Sequence, residues 1–267
     1  MTTTPVGMRC PECASDRTKV KTAATLRRGV RGTGLGRYTM TEILIAINAI
    51  VFFAEVATGT SLGGVSNILH PGTIFFDGFL QGPYMDATHQ YYRLFTAGFI
   101  HDGLLHILFN MWFLYVVGPA LERGIGRWNF LAIYLASLFA GSFGALVLQA
   151  DSPSVGASGA LFGLLGALIV IAHRRGISIW RSGLGATLVI NIVFSLTVAD
   201  ISIGAHLGGV VAGAICGWLW LELAERRRTQ WAFLLGCLGV AVVSVIAALA
   251  VAHGPGLAPN GLGVNLF

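Results

Sequence analysis

The chain has 267 residues, of which 55% are hydrophobic and only 11% charged, with a mean hydropathy of +0.74. Soluble domains carry about a quarter charged residues, so this composition excludes an ordinary soluble fold. The net charge of +5 and pI of about 9.3 do not imply a nucleic-acid partner, because a polytopic membrane protein needs basic loops on one side of the bilayer.

Residues 1–40 are polar and basic, with Arg9, Arg17, Lys19, Lys21, Arg27, Arg28, Arg31 and Arg37 set against Glu12 and Asp16. Such a composition predicts a mostly flexible segment, and its lack of an apolar core predicts no cleavable signal peptide. Cys10 and Cys13, in Cys-Pro-Glu-Cys, have the spacing of half a zinc knuckle. Tetrahedral zinc needs four ligands, and the next Cys or His is His70, so this pair is an incomplete site.

Seven apolar runs follow, at 41–58, 103–121, 128–149, 156–173, 183–199, 203–222 and 230–252. Each is close to the roughly 20 residues a helix needs to cross the hydrocarbon core. The fold class expected is therefore an all-α polytopic membrane protein. The long connection at 59–102, rich in Gly and aromatic residues, is expected to lie partly in the membrane interface. Cys216 and Cys237 fall inside apolar runs and read as small hydrophobes.

Threading the seven runs from a cytoplasmic N-terminus places 16 of the 17 Lys and Arg on one side, with Arg93 the exception. The positive-inside rule thus predicts a cytoplasmic N-terminus and an outer C-terminus in the plasma membrane. It also brings Ser158, His206, His106 and Asn110 to the outer ends of their helices, at one depth.

Polar groups at membrane depth are costly and mark function by default. Ser158, in Gly156-Ala157-Ser158-Gly159, opens the fourth run with small neighbours that let another backbone approach. His206 lies beside Gly204, Gly208, Gly209 and Gly213, a face with almost no side chains that fits against the fourth run. Such contact would let the imidazole take the serine proton as the oxygen attacks a carbonyl. His106 and Asn110 share a helix face at i and i+4, where their donors suit an oxyanion hole. Read singly, a small-residue packing serine, a metal-binding or bridging histidine and an interhelical hydrogen-bond pair remain alternatives.

Three motifs in combination resemble the rhomboid family of intramembrane serine proteases over about residues 40–225. They are His101, His106 and Asn110 in His-x4-His-x3-Asn; Gly156 to Gly159; and Ala205-His206-x2-Gly209-x3-Gly213. The resemblance implies a six-helix rhomboid core, to which this chain adds one C-terminal transmembrane helix that should pack outside it. It also implies a Ser158–His206 dyad without an acid, and an oxyanion site made of the Ser158 backbone N–H, His106 and Asn110. The partners implied are the lipid bilayer and transmembrane protein substrates, cut near their outer ends, with no cofactor needed for the chemistry. Substrate is expected to enter laterally beside the fifth span, near the loop at Gly254.

Glu122 and Gly126 resemble the family's structural Glu-x3-Gly turn after the second span. Tyr92-Arg93 stands where many members carry Trp-Arg, and Phe162 stands where some have a tyrosine stacked on the base. Cys10-x2-Cys13 resembles the second of two cysteine pairs in related heads. A start upstream of Met1, a vestigial site, and a zinc shared between two chains all fit this. Asp200 and Asp102 are expected to cap the sixth and second spans. The expected domains are a basic N-terminal segment, 1–40, a protease core, 41–225, and the seventh helix with an outer tail, 226–267. A catalytically silent binder of transmembrane clients is the rival reading, and a channel or transporter a more distant one.

Overall fold

A computed structural model describes residues 2–4, 7–9, 38–63, 72–181, 183–197 and 202–252. Cys10, Cys13, Asp200 and Gly254 lie outside these residues. The chain divides into two units, Met1–Tyr38 and Thr39–Phe267. In the first, the described residues form two short antiparallel strands, β1 (Thr2–Thr4) and β2 (Gly7–Arg9), paired Thr3 to Met8. The second unit is helical.

Helix α1 (Met40–Ala57) begins with a capping box in which Thr39 and Glu42 satisfy each other's backbone N–H groups. The connection after it contains three short helices, α2 (Thr73–Gly78), α3 (Gly82–Thr88) and α4 (Arg93–Thr96). Two long helices follow, α5 (Leu104–Ile125) and α6 (Arg127–Gln149). Next come α7 (Ser158–Arg174), α8 (Leu184–Thr197) and α9 (Ile203–Leu219), which runs on through a wider π turn, Trp220–Arg226. The last is α10 (Gln230–Ala252). These seven long helices coincide with the seven expected runs to within a few residues.

Five helices, α1, α5, α6, α9 with its π turn, and α10, are long and apolar enough to span a membrane. At 17 residues, α7 is about 25 Å long at the α-helical rise, a few ångströms short of a hydrocarbon core of about 30 Å. It compensates by being wrapped: Leu164, Leu165 and Ala167 are fully buried. A recess lies beside Ser158, at the start of this short helix.

The wrapping depends on glycine and alanine. A methyl on Gly209 would overlap the Gly159 carbonyl oxygen, and one on Gly213 the Gly163 carbonyl. These are the contacts expected between the fourth and sixth runs. Gly204 and Gly208 face elsewhere: a methyl there would overlap the carbonyls of Gly144 and Ala140 on α6. Helix α9 therefore lies in a groove between α6 and α7, with small residues on two of its faces rather than one.

The second span is longer than the hydropathy pattern indicated. It continues through Pro119 to Ile125, so Glu122 lies in its last turn and not in a connecting turn. The Glu122 carboxylate accepts the Met40 and Thr41 N–H groups at 2.6 and 2.9 Å and the Thr41 hydroxyl at 2.7 Å. An anion is thereby placed at the positive end of α1, where it satisfies donors that have no partner within the helix. Gly126, at φ +87°, ends α5 and starts α6 in a single residue.

Helix α10 packs on α6, and on α9 and its π turn, as expected for an addition to the core. Cys216 and Cys237 are buried free thiols, in keeping with their reading as small hydrophobes.

Candidate active site

Ser158 is the first residue of α7, and His206 lies in the first turn of α9. Because Gly159 and Gly209 let these helices touch, His206 Nε2 comes to 2.8 Å from Ser158 Oγ. The imidazole lies flat on Phe162, with ring centroids 4.0 Å apart and planes 11° apart. Phe162 in turn stacks on Phe113. The ring expected at position 162 thus holds the histidine plane without a hydroxyl.

On the facing helix, His106 and Asn110 line the same cavity, of about 160 Å³, as Ser158 and His206. The Asp102 backbone N–H donates to His106 Nδ1 at 3.3 Å. A backbone amide can only donate, so Nδ1 is the acceptor and Nε2 carries the proton of the neutral ring. That Nε2 faces Gly156, where an added Cβ would come within 2.7 Å of it. Gly156 also has φ +113°, so both its conformation and its surroundings demand glycine. One amide hydrogen of Asn110 is used on its own helix, at the His106 carbonyl (3.0 Å), which leaves the second for the cavity.

The approach to Ser158 is held by the connection between α1 and α5. Leu80 and Ser154 exchange backbone hydrogen bonds of 3.0 and 2.7 Å, and the Gly156 N–H donates to the Ala97 carbonyl at 2.8 Å. Arg93 holds this connection together. It is fully buried, donates to the Phe76 and Phe79 carbonyls at 2.7 and 2.8 Å, and packs among Phe79, Tyr84 and Tyr92. This explains the one cation that broke the charge sorting: Arg93 is a packing centre, not a topology signal. Hydropathy alone cannot show this, although the isolated arginine among aromatic residues was a visible sign.

His101 belongs to the same layer. Its backbone N–H donates to both side-chain oxygens of Glu55, at 3.3 and 3.2 Å, and its ring packs edge-on to His106 at 5.2 Å. Burial, followed by the proximity of His106, lowers the His101 pKa to about 3, so this ring is neutral at physiological pH. Glu55 was not singled out from the sequence, where a single glutamate near a helix end looks like a solvated residue.

Two capping expectations need correction. Helix α5 is preceded by Gly103, at φ +88°, with no side-chain cap, and the Asp102 backbone N–H meets His106. Helix α9 is capped by Ser202, whose Oγ accepts the Ala205 N–H at 3.2 Å. Ser202 leads directly into the first turn, whereas Asp200 lies two residues too early.

The cavity is bounded by α5, α7, α8 and α9, with Phe109, Trp112, Ile190 and Asn191 toward its lateral side. Phe109, Trp112 and Ile190 are more than half exposed. The arrangement joins a hydroxyl in contact with a base, two donors beside it, and an apolar mouth between two helices.

Comparison with known proteins agrees with the motifs. The family described as the Rhomboid domain matches residues 88–223. Rhomboid protease GluP of Bacillus subtilis (strain 168) is 33% identical over 181 residues, 67% of this chain and 34% of that protein. Putative rhomboid protease YdcA of the same organism is 34% identical over 145 residues, 53% of this chain and 73% of that protein. RHOMBOID-like protein 1 of Arabidopsis thaliana is 34% identical over 138 residues, 50% of this chain and 35% of its own length. The alignments thus span about a third of the length of the first and third of these relatives.

Proposed function

Because the chain belongs to the rhomboid family, its matched domain covering residues 88–223, we propose that it is an intramembrane serine endopeptidase that cuts transmembrane segments near their outer ends. The observation that carries this reading is the 2.8 Å contact between Ser158 Oγ and His206 Nε2, in a cavity that also holds His106 and Asn110.

In the proposed reaction Ser158 Oγ attacks the scissile carbonyl carbon while its proton passes to His206 Nε2. The carbonyl oxygen becomes an oxyanion that accepts hydrogen bonds from the Ser158 N–H, His106 Nε2–H and the free Asn110 amide hydrogen. As the tetrahedral centre collapses, His206 gives its proton to the departing amine, and Ser158 is left acylated. A water that loses its proton to His206 then attacks the ester and frees the serine. No acid is needed to orient His206, because Phe162 stacks on it. The recess over the short α7 admits water, and the side between α5 and α8 admits a substrate helix from the bilayer.

The proposed topology has the N-terminus in the cytoplasm, the C-terminus outside and the plasma membrane as host, on the strength of the charge sorting. Cleavage of a single-span substrate in reconstituted vesicles tests the activity: Ser158→Ala and His206→Ala should each abolish it, and undiminished cleavage by Ser158→Ala refutes the assignment. A fluorophosphonate probe separates the rivals. Labelling that requires both Ser158 and His206 supports the enzyme, whereas client binding without labelling supports a silent relative.

A further inference from the structure

We propose that the groove between α6 and α10 is a binding site for an anionic phospholipid, with one acyl chain lying in the groove and its phosphate held by Arg127, Arg227 and Arg228.

The groove is separate from the cavity over Ser158 and larger, at about 430 Å³. Its walls are apolar: Leu131, Ala132 and Leu135 from α6, and Leu234 from α10. Trp128 and Trp231 stand at its end, 60% and 78% exposed, at the first turns of two helices that begin on the same side of the molecule. Tryptophan in that position belongs to the membrane–water interface, which puts the groove mouth at headgroup level and its walls at acyl-chain depth.

The charge at this end is only partly paired among the described residues. Glu222 is engaged by Arg174 and Arg226, and Glu225 by Arg175. Arg227 and Arg228, both exposed, are left with no acidic partner among the described residues. Arg228 adopts φ +53° where the chain reverses into α10, so the two arginines immediately precede Gln230 and Trp231 of the groove. Arg127 adjoins the groove's other tryptophan, with its guanidinium over the Trp128 ring. A phosphate diester offers the oxygens that Arg227 and Arg228 lack among the described residues, and basic pockets between transmembrane helices recognise anionic headgroups in this way. Any lipid fills an apolar groove; the arginines make the site selective. The added helix thereby acquires a role, because without α10 the groove has one wall.

Native mass spectrometry on the full chain, taken from vesicles of equal parts phosphatidylglycerol and phosphatidylcholine, tests the site. Phosphatidylglycerol should be retained in marked excess, and each arginine changed to glutamine in R127Q/R227Q/R228Q should lower that excess about fivefold. Leu135→Trp, which fills the groove, should reduce retention with all arginines present. Equal retention of the two lipids by the native chain, or an excess that survives the triple variant, overturns the proposal. A dimer mass that disappears in Leu135→Trp would assign the groove to a second copy of the chain and overturn it equally. None of these readouts depends on proteolysis.

Discussion

The backbone N–H of Asp102 donates to Nδ1 of His106 at 3.3 Å, which fixes the proton of that imidazole on Nε2, the nitrogen beside Gly156. Asp102 follows His101, whose own N–H is held by Glu55. The Glu55 side chain near the end of α1 thus anchors the segment that sets a histidine tautomer on α5.

His106→Ala is expected to lower kcat/KM for a transmembrane substrate by roughly 10²- to 10³-fold, the cost of one oxyanion donor, about 2.7–4 kcal/mol. KM should change little, because the donor acts on the charge that develops in the transition state. Steady-state kinetics check this, and a loss confined to KM would remove His106 from the oxyanion role.

Gly213→Ala forces a methyl into the Gly163 carbonyl, while Gly239 on α10 has no atom within 4 Å of an added Cβ. The first substitution should therefore separate α7 from α9, lower the thermal stability sharply and abolish probe labelling of Ser158. Gly239→Ala should be neutral or stabilise by about 0.5–1 kcal/mol, since alanine favours the helix interior. Thermal denaturation in detergent with labelling of the survivors checks both, and equal effects would show that the seam is not the site of close contact.

Glu122→Gln keeps the size of the side chain but removes the charge and one acceptor oxygen from the start of α1. The loss should be about 1.5–3 kcal/mol, the range for hydrogen bonds to a charged group. Equilibrium unfolding in mixed micelles measures it. An effect below a few tenths of a kcal/mol would mean that the three contacts are not maintained in the bilayer.

His101 predicts an acid-sensitive fold. Its folded pKa of about 3 lies below the ordinary histidine value of about 6.5, so between these limits the unfolded chain binds the extra proton. Stability therefore rises with pH across that window and falls as pH is lowered through it, by up to about 1.4 kcal/mol per pH unit for one proton. His101→Gln should flatten the slope of unfolding free energy between about pH 4 and 6 relative to the native chain. An unchanged slope would assign the acid sensitivity to other groups.

Much of this fold was legible in one dimension because a bilayer imposes a length and a polarity on every span. The seven runs, the common level of Ser158, His106, Asn110 and His206, and the glycine spacing on α9 all follow from that constraint. Less was legible where contacts are made between segments distant in sequence. Arg93 looked like a misplaced cation until the Phe76 and Phe79 carbonyls closed around it. Glu122 looked like part of a turn until Met40 and Thr41, some eighty residues away in sequence, came to its carboxylate.

Hydropathy and residue spacing thus settled, without coordinates, that the chain is a bundle of apolar helices with a few polar groups gathered toward one end, since solvation by lipid acts on each segment independently. Only the folded arrangement decided which face of α9 meets which neighbour, which nitrogen of His106 bears a proton, and that one hydroxyl lies 2.8 Å from one imidazole. Those outcomes depend on distances between helices, and such distances arise from many packing contacts at once, none of which is encoded at a single position.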